Sequence, residues 1–255
     1  FRTLGLAGGL PGCPCHAPGS PRVLFLSSQG ASFVRKRLCL AVAALAVQST
    51  AWTNVVPDLV TQLDKPSSVL ALLDVLVSLP QEADSSRVHV DHRARRNFRD
   101  ELDKFACNVI ILMINKLPTV GANTTLMGQL VEVVTVWVRH CRISPADVIR
   151  TNIIPTAFQA LSVDALFETA TPLVVELLER YTHPQRDKEV MFALIGQLMP
   201  LVPKYQAAKR DGDCDVEREY VRMFAAMGYS YVDLILGSVR RLLLAMVGGS
   251  TENRV

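Results

Sequence analysis

The sequence predicts an all-α fold, an α-solenoid of about five HEAT-type helical hairpins with a disordered N-terminal segment. Three observations carry this. From residue 31 onward apolar residues recur at spacings of three and four, and no stretch shows the strict alternation of a half-buried strand. The motif NVVPDLVTQL at 54–63 returns as NIIPTAFQAL at 152–161, a separation near twice the roughly 40 to 47 residues of a HEAT or armadillo repeat. Hydrophobic residues make up 49% of the chain, enough for a continuous core and too many for wholesale disorder.

Residues 1–30 are rich in Gly, Pro and Ser and show no helical period, so they are expected to be disordered or non-native. They lack the basic start and long apolar run of a signal peptide. Cys13, Cys15 and His16 in this stretch are too cramped for a zinc site. The solenoid is expected over 31–247, followed by a flexible tail at 248–255.

Its helices are expected at 32–48, 53–63, 66–79, 94–117, 124–139, 146–161, 163–180, 187–202, 214–235 and 237–247. Pairing consecutive helices gives hairpins over 32–63, 66–117, 124–161, 163–202 and 214–247. The clearest helix carries Phe98, Leu102, Phe105, Val109, Ile110 and Met113 along one face, with Asp100, Glu101 and Lys104 opposite. In the repeated motif, Asn54 and Asn152 are placed to cap a helix whose first turn holds Pro57 or Pro155, where no intrahelical N–H bond is lost. Pro172 should kink or divide the seventh helix. Asn123 reads as the cap of the next helix, and Trp52 and Trp137 read as core. One connection is long, from Pro80 to Arg93.

Composition and motifs exclude several functions. The longest apolar runs, Leu38 to Val47 and Val109 to Ile114, fall far short of the roughly 18 residues that cross a bilayer, so no membrane partner is expected. Residues 31–255 hold 25 basic and 24 acidic side chains, a balance that predicts no direct nucleic-acid partner. The six cysteines are mostly isolated along the chain, which suits reduced thiols in a cytosolic or nuclear protein. G-x-S-x-G, HExxH, Walker and dinucleotide-binding patterns do not occur. The reading is therefore a binding protein and not an enzyme, with no catalytic, cofactor or metal site.

The polar connection and the helix after it hold Arg87, Arg93, Arg95, Arg96 and Arg99, five arginines in thirteen residues. Guanidinium groups at this density suit carboxylates or phosphates, although Asp91, Asp100, Glu101 and Asp103 can neutralise part of the charge and a solvated loop remains the simpler reading. The absence of interleaved aromatics argues against single-stranded nucleic acid. Arg93, Arg95, Arg96 and Arg99 are the candidate protein-binding residues. His89 and His92 read as exposed loop residues without a third metal ligand nearby.

Taken in order, several segments resemble the importin-β family, in its transportin-SR-like branch. The first is VRKRLCLAVAALAVQSTAWTNVVPDLVTQL, an alanine-rich helix followed by a tryptophan. The second is LLDVLVSLPQE, with a loop leading to the pair Arg95 and Arg96 and an acidic-apolar helix. Farther on come ISPADVIRTNIIPTAFQAL and EREYVRMFAAMGYSYVDLIL, the latter with Arg222 and Phe224 two positions apart. The likeness runs from about Phe33 to Leu236 in the right order. An importin-thirteen-like branch with different cargo is the alternative within the family.

The resemblance implies a nuclear import receptor that shuttles between nucleus and cytoplasm. Such a receptor carries serine/arginine-rich splicing factors, touches FG-repeat nucleoporins, and releases cargo when RanGTP binds its amino-terminal arch. It also implies an amino-terminal fragment, with the Gly/Pro-rich stretch standing where the family's first repeat precedes Phe33 and with part of the Ran-binding surface missing. Two readings from other classes stand beside it: a HEAT scaffold for a protein complex without Ran dependence, and an RNA-binding helical repeat protein using the arginine-rich loop.

Overall fold

The computed structural model describes residues 32–49, 51–87, 89–232 and 236. The expected N-terminal segment, the helix at 237–247 and the tail at 248–255 lie outside the described residues. Among those described, every regular element is a helix and there is no strand. They fall into two compact units, one ending at Phe98 and the other beginning at Arg99. Both are built of paired helices of the HEAT type.

The first unit contains α1 (Ser32–Gln48), α2 (Val55–Leu63), α3 (Val69–Asp84) and the opening turns of α4 (His92–Lys116). The main packing is between α1 and α3. Ala43 and Ala46 of α1 and Ala71 of α3 are buried. Small side chains let the two helices approach closely, and the Cys39 thiol reaches the Ala71 carbonyl at 3.6 Å. Leu72, Val75, Leu76 and Leu79 of α3 fill the core. Arg35 Nε lies 2.5 Å from Asp74 Oδ2, with side chains only 7% and 12% exposed, and this pair ties the two helices together.

Helix α2 is the first of the two Asn-Pro helices. It packs on α3 and buries Val55, Val56, Leu59 and Leu63. Asn54 does not cap it through its side chain, as the sequence suggested. It adopts the left-handed conformation instead, with φ 62°, and Asn152 does the same with φ 56° before α7 (Ile153–Leu161). Among the described residues these are the non-glycine positions with positive φ. Asparagine visits that region more readily than other side chains. The first helical bonds run from Asp58 N to Asn54 O (3.1 Å) and from Thr156 N to Asn152 O (3.2 Å). The proline therefore sits where its missing N–H leaves nothing unpaired.

The second unit contains the rest of α4, a 3₁₀ turn at Leu117–Val120, α5 (Thr124–His140), α6 (Pro145–Arg150) and α7. A 3₁₀ turn at Asp164–Leu166 leads to α8 (Phe167–Arg180), α9 (Lys188–Leu198), a 3₁₀ turn at Met199–Leu201, α10 (Val202–Asp211) and α11 (Cys214–Ser230). Helix α8 packs against α5, α7 and α11, so the first helices of successive hairpins stack on one another. Its buried residues include Ala170, Leu173, Val174 and Leu177. Trp137 of α5 is fully buried, as expected. Trp52 is only half-buried and donates its indole N–H to Asp58 Oδ2 at 3.0 Å.

Four expected elements are redrawn. Helix α3 continues through Pro80 to Asp84, because Pro80, Glu82 and Ala83 remain buried. The helix after it begins at His92, which shortens the long connection to 85–91. The expected helix 146–161 divides into α6 and α7, since left-handed Asn152 cannot continue a right-handed helix. The expected helix 187–202 ends at Leu198, and a further helix, α10, which the expected set lacked, starts at Val202 with Pro203 in its first turn. Pro172 lies inside α8 without dividing it.

Turns in the second unit are pinned from neighbouring helices. Asn123 Oδ1 accepts from Leu126 N at 3.1 Å, the expected cap of α5. The Arg180 guanidinium donates to the carbonyls of Val138, Arg139 and Cys141 at the C-terminus of α5. Tyr181 Oη donates to the Ile143 carbonyl at 3.0 Å, and Asp103 Oδ1 accepts from Arg142 N at 2.6 Å. A cation at a helix C-terminus satisfies orphan carbonyls and matches the helix dipole.

Candidate functional site

Helix α4 starts after Asp91, whose Oδ2 accepts from Arg93 N at 3.2 Å. Phe98, buried to 6% exposure, is the last residue of the first unit. This register sends the candidate arginines to different places. Arg93 and Arg96 are exposed, and Arg95 is half-buried. The Arg95 guanidinium donates through Nη1 to the carbonyls of Ala83 (2.9 Å) and Ser85 (2.6 Å), closing the C-terminus of α3. Arg99, also exposed, is engaged with the protein itself and opens the second unit.

Arg95 is thus an anchor, a role the sequence reading missed. A signal existed, an arginine shortly after an apolar helix; Arg180 closes α5 in the same way, but from the end of α8. The guanidinium groups of Arg87, Arg93 and Arg96 have no hydrogen-bond or ion-pair partner among the described residues. Over 85–98 four arginines face a single acid, Asp91. His89 is exposed in the connection and His92 is exposed at the first turn of α4.

Two concave features lie in the second unit. A groove of about 570 Å³ runs between α8 and α11, lined by Pro172, Val175, Glu179, Ala225 and Tyr229 among others. Tyr229 there is 90% exposed. Arg139 pairs with Glu176 at 2.8 Å along its edge. A smaller apolar pocket of about 260 Å³ is lined by Ile114, Leu117, Met127, Thr156, Ala160 and Leu166.

The shifted thiols are not poised for nucleophilic chemistry. Burial pushes the Cys39 thiol up to about 12, with the Asp74 charge adding to it. Burial also raises Cys107, with Asp147 beside it. Both stay protonated near neutral pH, and the thiolate is the reactive form.

The profile of the family described as Exportin 1-like protein matches residues 31–174, more than half of the chain. The chain belongs to the exportin 1-like family. Importin-13 of Gallus gallus is 26% identical over 219 residues, covering 82% of this chain and 22% of that protein. Transportin MOS14 of Arabidopsis thaliana is 27% identical over 216 residues, covering 81% of this chain and 22% of its own length. Importin-13 of Homo sapiens is 24% identical over 223 residues, again spanning 22% of that protein. The chain therefore spans about a fifth of the length of the curated relatives it matches. These matches place this exportin 1-like chain in the importin-β family. Importin-13 and transportin relatives match at nearly equal identity, so the transportin-SR branch is not singled out.

Proposed function

We propose that this chain is part of a karyopherin-β-type nuclear transport receptor. The observation that carries the reading is the exportin 1-like match over 31–174, which spans both Asn-Pro helices and all four candidate arginines. In this reading the protein binds RanGTP, carries protein cargo such as serine/arginine-rich splicing factors, touches FG-repeat nucleoporins and shuttles between nucleus and cytoplasm. It performs no catalysis and needs no cofactor. Stacked hairpins offer extended faces, and two partners that favour different arrangements of the stack weaken each other's binding. Arg93, Arg96 and Arg99 are proposed contacts for a protein partner, with Arg95 supporting them.

Ran separates this reading from a HEAT scaffold. GTP orders the switch regions of a GTPase and hydrolysis releases them, so a receptor distinguishes the two nucleotide states. The full chain is expected to bind Ran loaded with a non-hydrolysable GTP analogue on the order of tenfold more tightly than Ran–GDP, measured by titration calorimetry. Equal affinity for the two states, or none for either, replaces the receptor reading with the scaffold.

A further inference from the structure

We propose that Arg87, Arg93 and Arg96, held in place by Arg95, form a docking surface for an extended, carboxylate-rich segment of a partner protein. This rests on the protein-contact role proposed above for Arg93 and Arg96, names the chemistry of the partner, and is tested without Ran.

The argument starts from how the arginines of the first unit are used. Arg35 is buried against Asp74. Arg37 lies over the Phe33 ring, 5.1 Å from its centroid. Arg95 is committed to the end of α3. The guanidinium groups of Arg87, Arg93 and Arg96 are exposed and without a partner among the described residues. Arg93 and Arg96 are three apart on α4 and so share a face of that helix. Asp91, the acid nearest Arg93 in sequence, accepts through Oδ2 from the Arg93 backbone N–H.

Arg95 changes what these cations can do. Its bonds to Ala83 and Ser85 tie the beginning of α4 to the end of α3, across the connection that carries Arg87. Ser85 Oγ also accepts from Arg87 N at 3.2 Å. A surface already ordered pays less conformational entropy on binding than a free basic loop. The guanidinium fork matches a carboxylate in a bidentate manner, which favours Asp or Glu side chains over a diffuse anion. Phe98, the aromatic in these turns, is buried, so a base has nothing to stack on and RNA is disfavoured.

The probe is a fluorescent glutamate-rich peptide titrated with the full chain at several salt concentrations, alongside the same peptide with glutamine throughout and a single-stranded RNA of matched charge. The glutamate peptide should bind, with affinity falling as salt rises, and the glutamine peptide should not. The double variant Arg93→Met, Arg96→Met should lose affinity about tenfold and show a flatter salt dependence, because contacting charges are gone. Arg95→Met should lose affinity about threefold by loosening the surface while leaving the salt dependence as steep as before. Arg95→Lys, which keeps a donor for the α3 carbonyls, should recover most of that loss.

Equal binding of the glutamine peptide, tighter binding of the RNA, or an unchanged affinity in the double variant overturns the proposal. If Arg95→Met or, should that variant fold poorly, Arg95→Gln, which keeps a donor but loses the charge, flattens the salt dependence as the double variant does, Arg95 is itself a contact and the division of roles is wrong.

Discussion

Helices α1 and α3 in the first unit and helices α5 and α8 in the second are each joined by one arginine–carboxylate pair. In the first, Arg35 and Asp74 are 7% and 12% exposed. In the second, Arg139 and Glu176 are 49% and 19% exposed and lie along an open groove. The surrounding packing differs in the same sense. The α1–α3 pairing buries Ala43, Ala46 and Ala71, whereas α5 buries Trp137 and its valines and α8 buries Leu173 and Leu177. Small residues bring backbones together and shut water out of the ion pair. The second pairing buries a small residue too, Ala170, but its ion pair lies beside an open groove that water reaches. One chemical device is therefore an internal constraint in one place and a surface contact in the other.

The largest test of this contrast removes one carboxylate from each pair. Asp74→Ala leaves Arg35 buried without its partner and should cost about 3–5 kcal/mol. Glu176→Ala leaves a half-exposed Arg139 that water can solvate and should cost less than about 1 kcal/mol. Urea unfolding followed by tryptophan fluorescence can read both, since Trp52 lies in the first unit and Trp137 in the second. Similar losses from the two variants would end the comparison.

A middle-sized effect tests the close approach itself. Ala43→Leu puts extra methylene groups where the helices have no room and should destabilise the first unit by about 1–3 kcal/mol. A neutral result would mean that α1 and α3 can separate without loss.

The smallest effect concerns what the two units share. Asn54→Ala and Asn152→Ala each force alanine into the left-handed region and should cost about 1–2 kcal/mol. Glycine at either position meets no such penalty and should stay close to the wild type. If alanine is tolerated at one site and not at the other, the two Asn-Pro helices are not equivalent.

Much of this was legible in the sequence. The α1 boundaries 32–48, the stripe through Phe98 and Met113, the buried Trp137 and the Asn123 cap all follow from periodicity or from a side chain bonding three residues away. The recurrence of Asn-x-x-Pro marked two equivalent helix starts. The mechanism differed, because a capping side chain and a left-handed backbone favour the same residue type. The candidate arginines were located by composition alone, which could not separate Arg95 from Arg93 and Arg96.

By itself the sequence determined the helices, their amphipathic faces and the repeated proline starts, since these depend on residues within one or two turns of each other. Tertiary structure decided what those local rules cannot reach. It carried α3 past Pro80 because residues up to Ala83 are buried, and it ended the 146–161 helix at a left-handed asparagine. It also paired Arg35 with Asp74 and set Arg95 on carbonyls ten and twelve residues away. Buried carbonyls and charges must find partners wherever the packed chain supplies them, and the supplier is chosen by proximity in space, not by position in the sequence.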